Sequence, residues 1–379
     1  MKKKYITFSI VTLVLLVALI TSFNYFKTTN TYIDDSVNNQ TKITKGISMN
    51  LEQTAGAGDY KTVTQSSWPT EGYKFNAELS KCEKGSTLSW DDTKKAVIVS
   101  GNLSDKCYVY FDIYQPTLAE YIKSQYTGTQ GDNGIYYHNS TLANGAGDNS
   151  YRFAGASDSV NNYICLGSDK ATCPDANLFR IIGVFGDQTK VIRAKSVGNK
   201  QWNRSSNTWS SSSLNTYLNG EYLTSLGTLA DKIATTTWKV GGGTYESILT
   251  SVPATAYQYE VGSSASTTTV DKKIGLIYVT DYYYGASPSA WTLMGYNSDA
   301  TKDYRAATST NWLYLGSYEW TISRNSDYTS RAFYVLSTGG VSDGSTVTES
   351  YAARPSFNLL SSTTYVSGSG SMSDPVRVN

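Results

Sequence analysis

A hydrolytic nucleophile needs a base beside it, and this chain offers one histidine, His138, within a Gly- and Asn-rich stretch. A Ser-His-Asp triad would have to use it, and no partner for it can be named. His138 therefore reads as a bystander. No Gly-x-Ser-x-Gly elbow, His-Glu-x-x-His pair or phosphate-binding loop occurs. Glycosidase carboxylates lie far apart in a chain, and here no window singles out two acids. The sequence thus predicts no catalytic residue and no cofactor.

Cys82, Cys107, Cys165 and Cys173 are the four cysteines. An even number in an exported chain reads as disulfides. Three connectivities exist, and proximity favours Cys82–Cys107 with Cys165–Cys173. The first would close a loop of about 24 residues and contribute about 3 kcal/mol by restricting the unfolded chain. Zinc would need close Cys or His pairs, and no C-x-x-C occurs. Asp299, Asp303, Asp327 and Asp343 sit in loop-like stretches without calcium-loop spacing, so they read as solvated acids rather than metal ligands.

The positive signal is aromatic. Tyr282, Tyr283 and Tyr284 are followed by Trp291, Tyr296, Trp312, Tyr314 and Trp320. Flat amphipathic rings suit sugar faces or protein partners, although aromatic rings are more often core. Three adjacent tyrosines cannot all face inward on a strand. Tyr282, Tyr283, Tyr284, Trp291, Trp312 and Trp320, with Arg324, are therefore the expected ligand-binding residues. Arg354, before Pro355, reads as a buried arginine satisfying carbonyls.

These residues need a frame. Of 379 residues only 17% are charged, while aromatics reach 13%, with 31 Tyr and 8 Trp. That composition suits a β-rich exported domain and not a disordered one. A net charge of +1 offers no basic stripe for nucleic acid. Residues 27–67 are polar and read as a stalk, with room for one early strand. Residues 68–115 read as a small all-β module, with strands over 87–90, 96–99 and 107–113, closed by Cys82–Cys107. Residues 116–379 read as an α+β domain. A short helix begins after Thr117. A hairpin joins 178–185 to 189–194 across Gly186-Asp187-Gln188. Two short helices over 209–233 are broken at Gly220. Further strands are expected at 273–280, 320–324, 332–336 and 354–359. No periodic repeat is visible.

At the N-terminus, Lys2, Lys3 and Lys4 precede an uncharged apolar run from Tyr5 to Phe26. As a helix it would be about 33 Å long, enough to cross a bilayer. The lysines favour a cytoplasmic N-terminus. The expectation is a signal anchor over residues 1–26, with the membrane as a partner through residues 5–26 and the C-terminus extracellular. A cleaved signal peptide remains the alternative, but the run exceeds a usual signal core and no Ala-x-Ala follows it. The run lacks the acidic residue of a pilin helix, and no cysteine follows it for lipid attachment.

Several phrases together resemble a family of Firmicutes surface proteins. Asn161-Asn162-Tyr163 with Leu178-Phe179-Arg180-Ile181-Ile182-Gly183-Val184 resembles the opening of that family's C-terminal domain. Trp209 with Ser211 to Asn219, Glu319 to Arg324, and Ala353 to Leu359 resemble its later helix and strands. The likeness runs from near residue 150 to the end. Residues 73–112 look like a module that often precedes it. The family is distantly similar to the C-type-lectin-like fold of formylglycine-generating proteins, which implies such a fold here and brings no activity. The formylglycine enzymes use a late cysteine pair, and this chain has no cysteine after Cys173.

The functional expectation is a membrane-anchored surface protein whose C-terminal domain binds a glycan or a protein, and which is not an enzyme. A glycan-acting enzyme with a carboxylate pair and a structural envelope subunit are the alternatives.

Overall fold

The computed structural model describes residues 46–379 apart from 65, 66, 70, 71 and 103. The expected transmembrane helix over 5–26, its flanking lysines and the first part of the stalk lie outside the described residues. Among the described residues no helix is long and apolar enough to cross a membrane. The expectation of a single-pass anchor, with membrane localisation and an extracellular C-terminus, is corrected accordingly: no helix among the described residues supports it.

The α+β expectation is also corrected. The fold is mostly β sheet, with helical residues at 21%. The apolar spacing over 209–233 does not build two regular helices. It builds α2 (Ser213–Tyr217), one wide turn over Leu218–Tyr222 that absorbs Gly220, and α3 (Leu223–Ser225), then a tight turn over Gly227–Lys232. The Ser212 side chain caps α2 by accepting from the Asn215 N–H at 3.1 Å.

The chain divides into two compact units, Met1–Gln115 and Pro116–Asn379. In the first, β1 (Ile47–Glu52), β2 (Tyr60–Val63), β3 (Tyr73–Cys82) and β6 (Cys107–Ile113) form a sheet in the order β2-β1-β6-β3. A hairpin of β4 (Thr87–Asp91) and β5 (Ala96–Ser100) accompanies it. The stalk expected over 27–67 is thus corrected over its described part, which holds β1 and β2. Of its polar residues, Lys61 and Thr62 of β2 are exposed, whereas Asn50 and Glu52 of β1 are buried and hydrogen-bonded. Met49, Leu51, Val109 and Phe111 point to the core in strict alternation, and Phe75 and Trp90 pack their rings on Phe111. Buried Glu52 accepts from the N–H groups of Gly58 and Ile113 at 3.1 and 2.9 Å. Cys82 and Cys107, opposed on β3 and β6, are bonded.

In the second unit α1 (Leu118–Ser124) begins with Thr117 and Glu120 capping each other's backbone. The larger sheet is built on β10 (Leu178–Phe185) and β11 (Gln188–Arg193), joined by a two-residue turn at Gly186 and Asp187. Gly186 has φ +66° there, a value that favours glycine. On one side β10 pairs with β9 (Tyr163–Cys165) and with β8 (Tyr151–Phe153), which also pairs with β7 (Ile135–Tyr137). On the other, β11 pairs with β20 (Ser356–Asn358), which also pairs with β15 (Ile274–Gly275). β10 is buried from Leu178 to Val184, so both its faces are covered, which accounts for its nearly continuous apolar run. A second sheet has the order β12 (Asn199–Gln201), β19 (Ser350–Ala352), β16 (Glu319–Arg324), β17 (Ala332–Val335), β18 (Val341–Ser342). A small hairpin, β13 (Thr236–Lys239) with β14 (Thr269–Lys272), and the helices α4 (Tyr245–Ile248), α5 (Pro253–Glu260) and α6 (Val279–Tyr284) complete the site's surroundings. Cys165 and Cys173 form the second disulfide.

The first unit has a small core, so its disulfide should matter most. Replacing Cys82 and Cys107 together by Ser is expected to destabilise that unit by about 2–4 kcal/mol. Urea denaturation of the two proteins measures it.

Candidate functional site

The predicted ligand-binding rings are interior. Tyr282, Tyr283 and Tyr284 lie on α6, not on a strand or loop, and are 0–1% exposed. Each hydroxyl donates to a backbone carbonyl: Tyr282 to Gly339 at 2.7 Å, Tyr283 to Ile248 at 3.0 Å, Tyr284 to Asn144 at 3.3 Å. Trp291, Trp312 and Trp320 are likewise buried, with their indole N–H groups on the carbonyls of Ala286, Phe153 and Lys200. Arg324 is half-buried and donates to Gly241. None of the seven lines any of the three cavities described below. The expectation is corrected: the rings fill the core, and a helix lets three successive residues all be buried.

Other sequence candidates also resolve into structural roles. Buried Arg354 is bidentate with Glu319 at 2.7 and 2.8 Å and donates to the Leu313 carbonyl. Arg180 donates to Asn162, Ser157 and the Val160 carbonyl between the rings of Tyr163 and Trp312. Burial lowers its pKa to about 10. Asp299 caps a turn through the Thr301 N–H, Asp303 pairs with Arg305, and Asp343 accepts from Asn325. Among the described residues no group of three or more His, Cys, Asp or Glu could hold a metal ion.

Strand register builds a different site. Arg152 on β8 opposes Gly183 on β10, Gly183 opposes Lys190 on β11, and Lys190 opposes Asn358 on β20. Paired residues of antiparallel strands project to one face. Two cations and an amide thus stand in one row, with a glycine between the cations. A Cβ at Gly183 would collide with the Tyr151 carbonyl. Asp281 enters from α6. Its Oδ2 accepts from Lys190 Nζ at 2.5 Å and from the Tyr278 N–H at 2.9 Å. Its Oδ1 lies 3.8 Å from Arg152 Nη1. Asp148 takes the far side of Arg152, accepting from Nη2 at 2.6 Å. The charges alternate along the chain Asp148, Arg152, Asp281, Lys190.

The surroundings are aromatic. The Lys190 ammonium lies 4.7 Å from the Tyr278 ring centroid, 5.4 Å from Trp238 and 5.7 Å from Phe185. Trp238 packs on Gly275, where a Cβ would come within 3.0 Å of the indole. The Tyr257 hydroxyl donates to Asp148 at 2.8 Å. Burial raises the Tyr257 and Tyr278 pKa values. Burial also pushes Asp148 up, but Arg152, Ser150 and Tyr257 outweigh it and hold that carboxyl well below the usual range. Glu260, at the end of α5, accepts from the Val279 and Thr280 N–H groups and the hydroxyls of Thr280 and Ser323. It thereby satisfies the first turn of α6.

Above the ion row opens a cavity of about 240 Å³, rimmed by Thr236, Thr237, Lys239 and Asn358. A larger one, about 720 Å³, follows the Cys165–Cys173 loop, but its acids and lysines are exposed and its Arg377 is tied to the carbonyls of Ser168, Lys170 and Ala171. Another, about 380 Å³, is lined by no charged side chain. The 240 Å³ pocket joins buried charge, rings and an open mouth. Sequence reading missed it. The available signal was charge inside apolar strand runs, at Arg152 and Lys190.

Residues 186–361 match the model of a domain of unknown function (DUF6273). The match takes in Lys190, Trp238, Tyr257, Tyr278, Asp281 and Asn358, while Arg152 lies before it. No curated protein and no solved structure matches the chain, so the lectin-like expectation gains no support from them.

Two outcomes are expected. Asp281→Ala leaves two buried cations without their shared partner and should cost about 3–5 kcal/mol, read by urea denaturation. His138 is fully buried, its Nδ1 accepts from the Ala146 N–H, and its Nε2 has no partner among the described residues. Burial, then Arg152, lowers its pKa well below the ordinary value of 6.5. The unfolded chain therefore binds the proton first, and stability falls as pH drops below about 6.5. Asp148 adds a further loss below about pH 4 by the same linkage. Buried Glu260, whose pKa is raised, has the opposite sign. The loss between pH 6.5 and 5 should be smaller in His138→Phe, measured as Tm against pH.

Proposed function

We propose that the second unit is a binding domain and that the 240 Å³ pocket is its ligand site. One observation carries the reading. Asn358 lines the pocket, and among the described residues its Oδ1 is buried and without a hydrogen-bond partner, while its Nδ2 donates to Thr236 at 3.1 Å. An unpaired buried acceptor costs about 1–3 kcal/mol, which a ligand donor would recover. Beside it stand half-exposed rings and a buried lysine, the mixture expected of a small-molecule site.

Binding fits better than catalysis. A general acid needs a carboxyl whose pKa is raised toward neutrality. Here Asp148 is held low by Arg152, and Asp281 is closed between Arg152 and Lys190. His138 is not among the pocket-lining residues. The two disulfides suit an oxidising compartment. The motif resemblance to Firmicutes surface proteins supports the same role.

Thr237 is exposed at the mouth, so Thr237→Arg should obstruct the pocket without disturbing the fold. Thermal scanning of the intact protein against a library of small polar metabolites is expected to find a compound that raises Tm. At a hundredfold excess over Kd the gain is about 2.7 kcal/mol. The shift should vanish in Thr237→Arg. A shift that persists there counts against this pocket.

A further inference from the structure

We infer that the pocket takes a single neutral sugar ring. This rests on reading the pocket as the ligand site and adds the chemical class of the ligand.

The ion row contains two cations and two carboxylates, each already paired within it. An anionic ligand would have to compete with Asp281 for Lys190 and Arg152. A cationic ligand would have to compete with Lys190 for Asp281. Either would open a buried ion pair. A purely apolar ligand would dry Lys190 and Asn358 without giving them partners. A neutral ligand rich in hydroxyls avoids all three costs, since each hydroxyl both donates and accepts.

The unused hydrogen-bonding capacity has the matching pattern. Lys190 Nζ carries three protons and gives one to Asp281. The Arg152 Nη1 is 3.8 Å from Asp281, beyond hydrogen-bond length. These are donors for ligand oxygens. Asn358 lines the pocket with its Oδ1 unpaired among the described residues, an acceptor that a turn of the amide would present to a ligand hydroxyl. Donors and acceptor share one cross-strand row, so one small ligand can reach them together. The half-exposed rings of Phe185 and Tyr278 line the pocket beside the row, and such rings suit the C–H face of a pyranose. At about 240 Å³ the cavity lies below the usual range for drug-sized ligands, about 300–1,000 Å³. It suits one ring, an end-group or a monosaccharide, rather than an oligomer.

The test is saturation-transfer NMR on the intact protein with three sets of probes. The neutral set is methyl α-glucopyranoside, methyl β-galactopyranoside and methyl β-N-acetylglucosaminide. The charged set is glucuronate and glucosamine. The third is N-acetyl-tyrosinamide, a peptide mimic. At least one neutral glycoside is expected to receive saturation at its ring protons. Phe185→Ala should weaken its binding by about tenfold or more, and Thr237→Arg should abolish it. Circular dichroism and Tm confirm that both variants are folded. If only a charged sugar or the peptide mimic binds, with the same sensitivity to the variants, the sugar class is overturned and the pocket stands as a ligand site. If no probe binds, or glycoside binding survives in both variants, the proposal and the pocket reading fall together.

Discussion

The second unit depends on how it buries four charges. Removing Arg152, Lys190, Asp281 and part of Asp148 from water is costly, and mutual attraction repays that only when geometry is good and the remaining polar atoms are satisfied. The larger sheet supplies the geometry. Because β8, β10, β11 and β20 are in fixed register, Arg152 and Lys190 are held apart by one glycine-bearing strand. Asp281 then bridges them from α6. A slip of one residue in β8 or β11 would send its cation to the opposite face. The ion chain and the register therefore specify each other.

The same constraint explains the aromatic richness around the row. A cation in a low-dielectric interior gains from ring faces as well as from carboxylates. Arg152 lies 4.7 Å from the Phe185 ring, 4.9 Å from Tyr284 and 5.3 Å from Tyr257. Tyr284 is shared. Its ring also meets His138 edge-on at 4.8 Å. The neutral imidazole and the guanidinium thus share one aromatic wall. The Arg152 charge is one reason why His138 resists protonation.

Local structure was legible in the sequence where chemistry acts over a few residues. The β10–β11 hairpin showed in an apolar run, a glycine turn and a second apolar run. The pairing of Cys82 with Cys107 and Cys165 with Cys173 followed from proximity. The cap at Thr117 was visible from its own residue type. Pattern failed where the partner is remote. Lys190 and Asp281 are 91 positions apart and nothing near either names the other. The stalk was misread because the polar residues of β1 are satisfied by partners remote in sequence: Asn50 donates to the Val109 carbonyl and Glu52 accepts from the Ile113 N–H. The mainly β character was masked by leucine spacing over 214–229, which the structure resolves into short, differently wound turns.

The three tyrosines of α6 connect the misreading to the site. Successive helical residues point about 100° apart, so four of them divide the whole circumference. Asp281, Tyr282, Tyr283 and Tyr284 are such a set, and all four are buried. A helix enclosed on every side needs every polar tip satisfied. The tyrosine hydroxyls reach three carbonyls in three separate segments, at Gly339, Ile248 and Asn144. Those anchors fix the rotation of α6 about its axis. With rotation fixed, the remaining sector carries Asp281 toward the strand row. The tyrosines do not touch the pocket's contents. They orient the carboxylate on which the pocket floor is built.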